Sequence, residues 1–237
     1  MSAKLEWGLG PLTEKLQKAL SRERLGRYVK AAKGDIAIAL KLYEINIQIS
    51  QVLHGVLHGY EIVLRNAMHD QLKAHFHQEN WYDRAPLEST QLDMVTKAEQ
   101  NCGGSVYVPV GKVIAELSLG FWTGLTAARY EQSLWVPCLR RAFPNVKLPR
   151  QRMHASLNDI KSLRNRIAHH ERILTGNGKL YAGLHPNRRT ELALPPETVP
   201  NCIGWICQDT ADWVKTTSGF QNCLTLLNCP LVKNVNF

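Results

Sequence analysis

Residues 35–76 read DIAIALKLYEINIQISQVLHGVLHGYEIVLRNAMHDQLKAHF, which is the longest regular pattern in the chain. The stretch contains no proline, and its large apolar side chains recur with the period of an α-helix. Those side chains are Leu40, Ile45, Ile49, Leu53, Val56, Leu64 and Leu72. Asp35 is placed to cap the first turn, whereas Gly55 and Gly59 weaken the helix and indicate close packing or a bend. The pattern predicts one long helix around which the fold is built.

Shorter helical patterns lie on both sides of this stretch. Upstream they cover residues 12–20 and 22–32, with Ser21 as a cap and Gly34 as a stop. Downstream they cover residues 87–100, 110–117, 130–142, 149–174 and 202–214. Residues 175–200 are rich in Gly, Pro and Asn and predict a long loop, and no period-2 strand pattern is present. The order predicts an all-α fold in which a basic N-terminal helical arm, residues 1–34, precedes a helical bundle domain, residues 35–237.

Composition places the chain among globular proteins. It has 237 residues, of which 44% are hydrophobic and 21% charged, and this balance excludes disorder as the dominant state. The longest aliphatic run near the start, residues 36–40, is far shorter than the about 20 apolar residues of a spanning helix. The first residues show no apolar segment typical of a secretory signal. We therefore expect a cytoplasmic protein with no membrane partner.

The six cysteines predict neither a metal site nor a disulfide framework. No Cys-x-x-Cys pair occurs, and the closest pairs are separated by five and six positions (Cys202 with Cys207, Cys223 with Cys229). In a reducing compartment such thiols are usually buried or idle. Neither a metal ion nor another cofactor is therefore expected. The tryptophans at positions 81, 122, 135, 205 and 213 are expected to anchor the core or the contacts between helices.

The net charge of +9 is unevenly distributed. Residues 15–33 carry seven basic side chains and one acidic one, Glu23. Residues 139–155 carry no acid and five basic side chains, Arg140, Arg141, Lys147, Arg150 and Arg152. Such segments favour a polyanionic partner, and these five are the predicted RNA-binding residues. A solvated basic face without a partner is the alternative that charge alone leaves open.

A polar stripe marks the predicted helix at residues 149–174. Its members, separated by 4, 3, 4 and 3 positions, are Asn158, Ser162, Asn165, His169 and Arg172. The apolar residues Leu157, Ile160, Ile167 and Ala168 lie on another face. His169 is one predicted turn after Asn165, whose amide can orient the imidazole. Arg164 precedes His169 by five positions, about 140° around a helix. Either its long side chain partly closes that gap, or it approaches the site from a bent helix or a second subunit.

These residue types suit cleavage of RNA by its own 2′-hydroxyl. A histidine exchanges a proton near neutral pH, and a guanidinium binds the phosphate oxygens with two parallel hydrogen bonds. The reaction needs no metal. His170 and Arg172 add positive charge nearby. The alternative is an ordinary array of caps and salt bridges on a surface helix.

A second polar stripe lies on the long helix. His54, His58, Glu61 and Arg65 are separated by 4, 3 and 4 positions, and Asn66 and His69 follow. Three interpretations remain open. Glu61 and Arg65 can form an internal ion pair; His54, His58 and Glu61 have the helical spacing of divalent-metal ligands; or Arg65, Asn66 and His69 assist the phosphate site.

The sequence resembles the HEPN domains of bacterial abortive-infection (Abi-like) proteins. Its segment Leu163-Arg164-Asn165-Arg166-Ile167-Ala168-His169-His170-Glu171-Arg172 is similar to their Arg-Asn-x-x-x-His signature. Further segments agree in order across roughly residues 20–215. They are Gly34-Asp35, Ala39-Leu40-x-Leu42-Tyr43-x-x-Asn46, Glu61-x-x-Leu64-Arg65-Asn66, Glu116-Leu117-Ser118-x-Gly120-Phe121-Trp122, Trp205-Ile206 and Asp209-Thr210-Ala211-x-Trp213.

This resemblance implies a HEPN-type helical bundle and a metal-independent endoribonuclease. It also implies a homodimer whose two motifs meet in one cleft, and a role in phage defence or as the toxin of a toxin–antitoxin pair, with an antitoxin protein as a partner. Arg164 would bind the phosphate, Asn165 would orient, and His169 would be the acid and base. Glu171 stands where some HEPN toxins carry a modified tyrosine, so that route of regulation is not implied.

Some HEPN domains are not catalytic. The same resemblance therefore leaves a second function open, a non-catalytic module that binds RNA or another protein. Such a module would bind RNA through the basic segments in a salt-dependent way without cutting it.

Overall fold

The computed structural model describes residues 11–103, 108–184, 191–235 and 237. In this part of the chain eleven α-helices and two β-strands are formed. The helices are α1 (Pro11–Leu20), α2 (Arg22–Ala31), α3 (Ile36–Phe76), α4 (Ser89–Asn101), α5 (Val110–Glu116), α6 (Leu119–Gly124), α7 (Arg150–Ala168), α8 (Thr198–Gly204), α9 (Gln208–Thr217), α10 (Phe220–Leu227) and α11 (Pro230–Lys233). The strands are β1 (Leu180–Leu184) and β2 (Glu191–Leu194). The predicted mostly helical class is confirmed.

The long helix forms as the sequence predicts. Asp35 caps α3 by accepting a hydrogen bond from the Ile38 backbone N–H at 3.0 Å. Ser21 caps α2 in the same way, accepting from the Arg24 N–H at 3.3 Å. Gly34 adopts the left-handed conformation, with φ 91°, between the two helices. Local side-chain and backbone chemistry thus sets where these helices begin and end.

The predicted loop at residues 175–200 is wrong at residues 180–184 and 191–194. Strands β1 and β2 pair antiparallel there, with Leu180 opposite Leu194 and Leu184 opposite Glu191, and the register shifts between Tyr181 and Gly183. Three consecutive residues from Leu180 are buried, so the strand lacks the alternation by which strands are recognised. The loop prediction at residues 185–190 lies outside the described residues.

The helix predicted at residues 149–174 ends at Ala168. His170 has a left-handed backbone, with φ 56°, and its N–H donates to the Ile167 carbonyl at 3.0 Å. The Glu171 N–H donates to the Arg166 carbonyl at 2.8 Å. These two bonds close the helix as a Schellman motif, in which glycine usually occupies the left-handed position. Because a histidine occupies that position in this chain, the sequence does not indicate where the helix ends.

Two further helix predictions are corrected. Residues 130–142 form two short 3₁₀ turns, Ala128–Tyr130 and Leu139–Ala142, with a π-helical turn, Glu131–Trp135, between them. The predicted final helix at residues 202–214 is divided between α8 and α9, and α10 and α11 follow it. The isolated turns carry too few residues to give a helical period of their own.

The chain divides into two compact units. The first comprises Met1–His54, Arg166–Pro196 and Gly219–Phe237, and the second comprises Gly55–Asn165 and Glu197–Ser218. In the first unit Tyr28 is buried and meets Tyr43 and Phe237 edge-on, with ring centroids 5.3 and 5.6 Å apart. The basic segment at residues 22–31 therefore contributes Leu25 and Tyr28 to a core rather than only a charged surface.

The second unit has an aromatic core and two close helix contacts. Trp81, Phe121 and Trp122 are buried together, with ring centroids 5.2 to 6.2 Å apart. A Cβ atom added to Gly59 would lie 2.7 Å from Val214 Cγ2, and one added to Gly55 would lie 3.3 Å from Ser218 Cβ. The close packing predicted at both glycines is thereby confirmed.

Trp213 corrects the expectation that every tryptophan is an anchor. It lies on α9 beside the packed Val214, but 64% of its surface is exposed. Trp81 and Trp122 are fully buried, as predicted.

Among the described residues, α3 is the one helix long and apolar enough to cross a membrane by length and composition. The core helix of a soluble protein passes the same test, and a single such helix is weak evidence for a span. The exposed His54 and His58 lie along it. The cytoplasmic location stays a prediction.

Candidate functional site

Arg164 lies in the last turn of α7 and is held by a glutamate. The helix buries Leu157, Ile160 and Leu163, which fixes the rotation that leaves Arg164 partly accessible. The Arg164 Nε donates to Glu61 Oε1 at 2.8 Å, and the arginine side chain is still 41% exposed. Its two terminal nitrogens have no hydrogen-bond partner in the described part of the chain. A guanidinium anchored through Nε presents those nitrogens for two parallel bonds to a phosphate.

Asn165 and His169 are both exposed. Asn165 is in the last turn of α7, whereas His169 follows the helix in the turn that ends it. The left-handed residue that breaks the helix is His170, one position after His169. Neither the Asn165 nor the His169 side chain has a hydrogen-bond partner among the described residues, so the orienting role of Asn165 stays a prediction.

In the predicted stripe on α7, the first two side chains form hydrogen bonds within the protein. Ser162 Oγ donates to the Asn158 carbonyl at 3.0 Å, and Asn158 Nδ2 donates to His154 Nε2 at 3.0 Å. The other ring nitrogen, His154 Nδ1, lies 2.8 Å from Thr126 Oγ1. Burial, with the positive charges of Arg150 and Lys161, lowers the pKa of His154. This imidazole is a neutral structural link that the sequence pattern did not indicate.

Arg172, predicted on the same stripe, lies beyond the helix and is buried. Its Nη2 donates to Glu191 Oε1 at 3.0 Å, and its Nη1 donates to the Leu174 carbonyl. The guanidinium also lies 4.2 Å from the Tyr181 ring centroid and 4.9 Å from that of Phe237. These contacts attach the β-hairpin to the segment after α7, so Arg172 is a structural residue rather than an exposed member of a stripe.

The first unit contains a cleft of about 750 Å³, and some of its lining residues are neighbours of His169 in the sequence. The two residues that flank His169, Ala168 and His170, both line it. Its other lining residues are Tyr43, Asn46, Ile47, Ser50, Gln51, His54 and Ile167. Asn46 is buried, and its Oδ1 accepts the Ile173 N–H at 2.9 Å, which fixes the segment after α7 against α3. The cleft is large enough for a small ligand or for one nucleotide of a nucleic-acid strand.

The second stripe, on α3, does not form the predicted Glu61–Arg65 pair, and the accessory role of Arg65 and Asn66 stays a prediction. Glu61 pairs with Arg164 and not with Arg65, whose Nε donates to Asn66 Oδ1 at 3.1 Å. Among the described residues no group of three or more His, Cys, Asp or Glu side chains is arranged to hold a metal ion. His54, His58 and Glu61 therefore form no metal centre there.

His69 is partly buried and contacts the buried Trp81. Its Nδ1 accepts a hydrogen bond from Trp81 Nε1 at 3.0 Å, and its Nε2 lies 3.7 Å from Glu79 Oε2. A proton on Nδ1 would oppose the Trp81 N–H. Burial lowers the pKa of His69, although Asp70 and Glu79 act in the opposite direction. The predicted accessory role of His69 is not supported by these contacts.

The basic side chains before and at the start of α7 are exposed, with one exception. Arg140, Arg141, Lys147 and Arg152 are all exposed, and Arg141 Nε donates to Gln71 Oε1 at 3.2 Å. Arg150 instead donates to the Thr126 carbonyl at 2.8 Å and to Glu131 Oε2 at 3.4 Å. Its guanidinium is committed to these structural contacts, so it is set apart from the predicted RNA-binding residues.

Sequence reasoning missed Glu61 as the partner of Arg164, because 103 positions separate the two residues. It also missed Asn46 as the fixed point of the segment that follows His169. The available signal was the order of the quoted segments, in which Asn46 and Glu61 both stand.

No protein-family model, curated protein or solved structure matches this chain.

Proposed function

We propose that the protein is a metal-independent endoribonuclease of a bacterial phage-defence or toxin–antitoxin system. The observation that carries the proposal is the state of the Arg-Asn-x-x-x-His segment. Arg164 is anchored by Glu61 yet accessible, and Asn165 in the last turn of α7 and His169 just after it are exposed. An array that served only as caps and salt bridges would use these side chains within the protein. Here two of the three have no such use in the described chain.

In the proposed reaction His169 removes the proton from a ribose 2′-hydroxyl. The 2′-oxygen attacks the adjacent phosphorus, the bond to the 5′-oxygen breaks, and that oxygen takes a proton from the imidazolium. The products are a 2′,3′-cyclic phosphate and a 5′-hydroxyl. Arg164, from the same chain or from the second copy of a homodimer, neutralises the phosphate oxygens as charge develops. Arg140, Arg141, Lys147 and Arg152 supply general attraction for the RNA backbone.

The test is an RNA cleavage assay on wild type and His169→Ala, both in excess EDTA. We expect wild-type cleavage in EDTA and a loss of about 10²–10⁴-fold in the variant, the usual contribution of a general acid–base. The matched control is His58→Ala, which removes another exposed histidine. Unchanged cleavage by His169→Ala would overturn the mechanism, whereas loss in EDTA together with loss in His58→Ala would favour a metal-dependent reaction.

A second function is favoured by the four exposed basic residues near α7. A non-catalytic RNA-binding module would bind RNA through Arg140, Arg141, Lys147 and Arg152 with an affinity that falls steeply with salt. It would cut no RNA under any condition. RNA binding without strand scission, in wild type and in His169→Ala alike, would select this function.

A further inference from the structure

A second cleft of the first unit is rich in arginine. It has a volume of about 420 Å³ and is lined by four arginines, Arg24, Arg27, Arg166 and Arg172, which we name the arginine cleft. Only two carboxylates, Glu23 and Glu171, line it. Its positive charge is therefore only partly compensated by its own lining.

The two arginines from α2 are the least compensated. Arg27 is exposed and has no ion-pair partner among the described residues. Arg24 donates from Nη1 to the His170 carbonyl oxygen, a neutral acceptor that leaves its charge in place. In contrast, Arg166 Nη1 lies 2.7 Å from Glu171 Oε2. An anion in the cleft would meet its strongest uncompensated attraction on the α2 side.

The opposite wall of the cleft is rigid. Arg166 and Arg172 lie 4.3 and 4.2 Å from the centroid of the Tyr181 ring. Arg166 Nε also donates to the Arg172 carbonyl at 3.1 Å. Stacked guanidiniums keep their donors in fixed directions, which lowers the entropic cost of binding an oxyanion.

An unused buried donor lies in that wall. The Arg172 side chain is only 4% exposed, and its Nε is buried with no hydrogen-bond partner in the described structure. A buried N–H without an acceptor is costly, and such groups commonly mark a bound ion or water. Tyr28 adds no negative charge to the cleft, because burial raises the pKa of its hydroxyl.

We propose that the arginine cleft binds a phosphate group, carried either by a nucleoside monophosphate or by the backbone of single-stranded RNA. Several guanidiniums, an orphaned buried N–H and aromatic walls from Tyr28 and Tyr181 are the chemistry that such a group requires. This inference does not rest on cleavage activity. It assigns a function to Arg24 and Arg27, which lie outside the Arg164–His169 segment.

The experiment measures binding of two probes to the full chain at one fixed salt concentration. The probes are AMP and a 2′-O-methyl RNA oligonucleotide, which lacks the attacking hydroxyl and so reports binding whether or not the protein is a nuclease. Arg27→Gln removes an exposed guanidinium without opening the core. The matched control is Arg22→Gln, also exposed on α2 but outside the cleft lining.

We expect Arg27→Gln to weaken binding of at least one probe about tenfold, the usual scale of one charge-assisted hydrogen bond. Arg22→Gln should change it less than about twofold, as expected for a distant surface charge. Loss of AMP binding identifies a nucleotide site, and loss of RNA binding alone identifies a backbone subsite. The proposal is overturned if Arg27→Gln leaves both affinities unchanged, or if Arg22→Gln weakens them equally.

Discussion

Arg164 and Arg172 stand eight positions apart and each pairs with a glutamate, yet their surroundings differ. The Arg164 side chain is 41% exposed and bonds Glu61 through Nε, whereas that of Arg172 is 4% exposed and bonds Glu191 and a backbone carbonyl. An exposed pair is worth little to stability, because water competes for both charges. A buried guanidinium that stacks on rings and bonds the backbone supports the fold. The same residue type is thus left accessible to solvent in one place and buried in structural contacts in the other.

The largest expected effect separates the two arginines by activity. Arg164→Ala should reduce the rate of RNA cleavage about 10²–10³-fold, the usual effect of removing one hydrogen-bond donor to a transition state. The free energy of unfolding should fall by about 1 kcal/mol or less. Initial cleavage rates and urea unfolding of the same preparations check both parts. The comparison fails if Arg164→Ala destabilises the protein strongly and cleavage falls only in proportion to the unfolded fraction.

The next effect concerns stability. Arg172→Met keeps much of the side-chain volume but removes the bonds to Glu191 and Leu174, so we expect a loss of about 2–3 kcal/mol in unfolding free energy. Glu191 remains solvated and is not left as a buried charge. Urea titration monitored by circular dichroism measures the loss. A variant as stable as wild type would show that the buried position of Arg172 contributes nothing.

The smallest effect extends the distinction between buried and exposed polar groups to histidine. Burial lowers the pKa of both His69 and His154 below the ordinary histidine value of 6.5. Between the folded and unfolded pKa values the unfolded chain binds more protons, so the free energy of unfolding rises with pH in this range. The stability that the two neutral histidines contribute is complete above about pH 7 and is lost as the pH falls below 6.5. Melting temperatures from pH 5 to 7.5 should rise with pH.

The control is the double variant His69→Gln with His154→Gln, in which neither side chain titrates. Its melting temperature should be lower throughout and should vary less over the same pH range. An identical slope in the double variant would assign the pH dependence to other groups.

The parts of the fold that sequence analysis predicted are those decided by local chemistry. Asp35 and Ser21 cap their helices, and Gly34 adopts a left-handed backbone between α2 and α3, because each effect depends on one residue and the backbone beside it. Gly55 and Gly59 indicated close packing but not its partners, which lie far along the chain. The end of α7 was missed because His170 takes a conformation that usually requires glycine.

The candidate site was predictable only in part for a related reason. The identities of Arg164, Asn165 and His169 stand in one short segment, but the partner of Arg164 comes from another helix. The structural role of Arg172 was missed as well, because its partner Glu191 begins the second strand of a hairpin whose first strand does not alternate. Long-range pairing leaves no period in a single sequence, so these contacts emerge only from the three-dimensional structure.

Asn46 has a consequence for how substitutions in this chain will be interpreted. Its side-chain oxygen holds the Ile173 N–H from 127 positions away, and it lines the cleft whose opposite wall includes both neighbours of His169. A comprehensive mutational scan scored on the amount of folded protein should therefore place position 46 among the intolerant sites. Intolerance there would reflect the shape of the cleft wall and would be no evidence that Asn46 itself contacts a ligand.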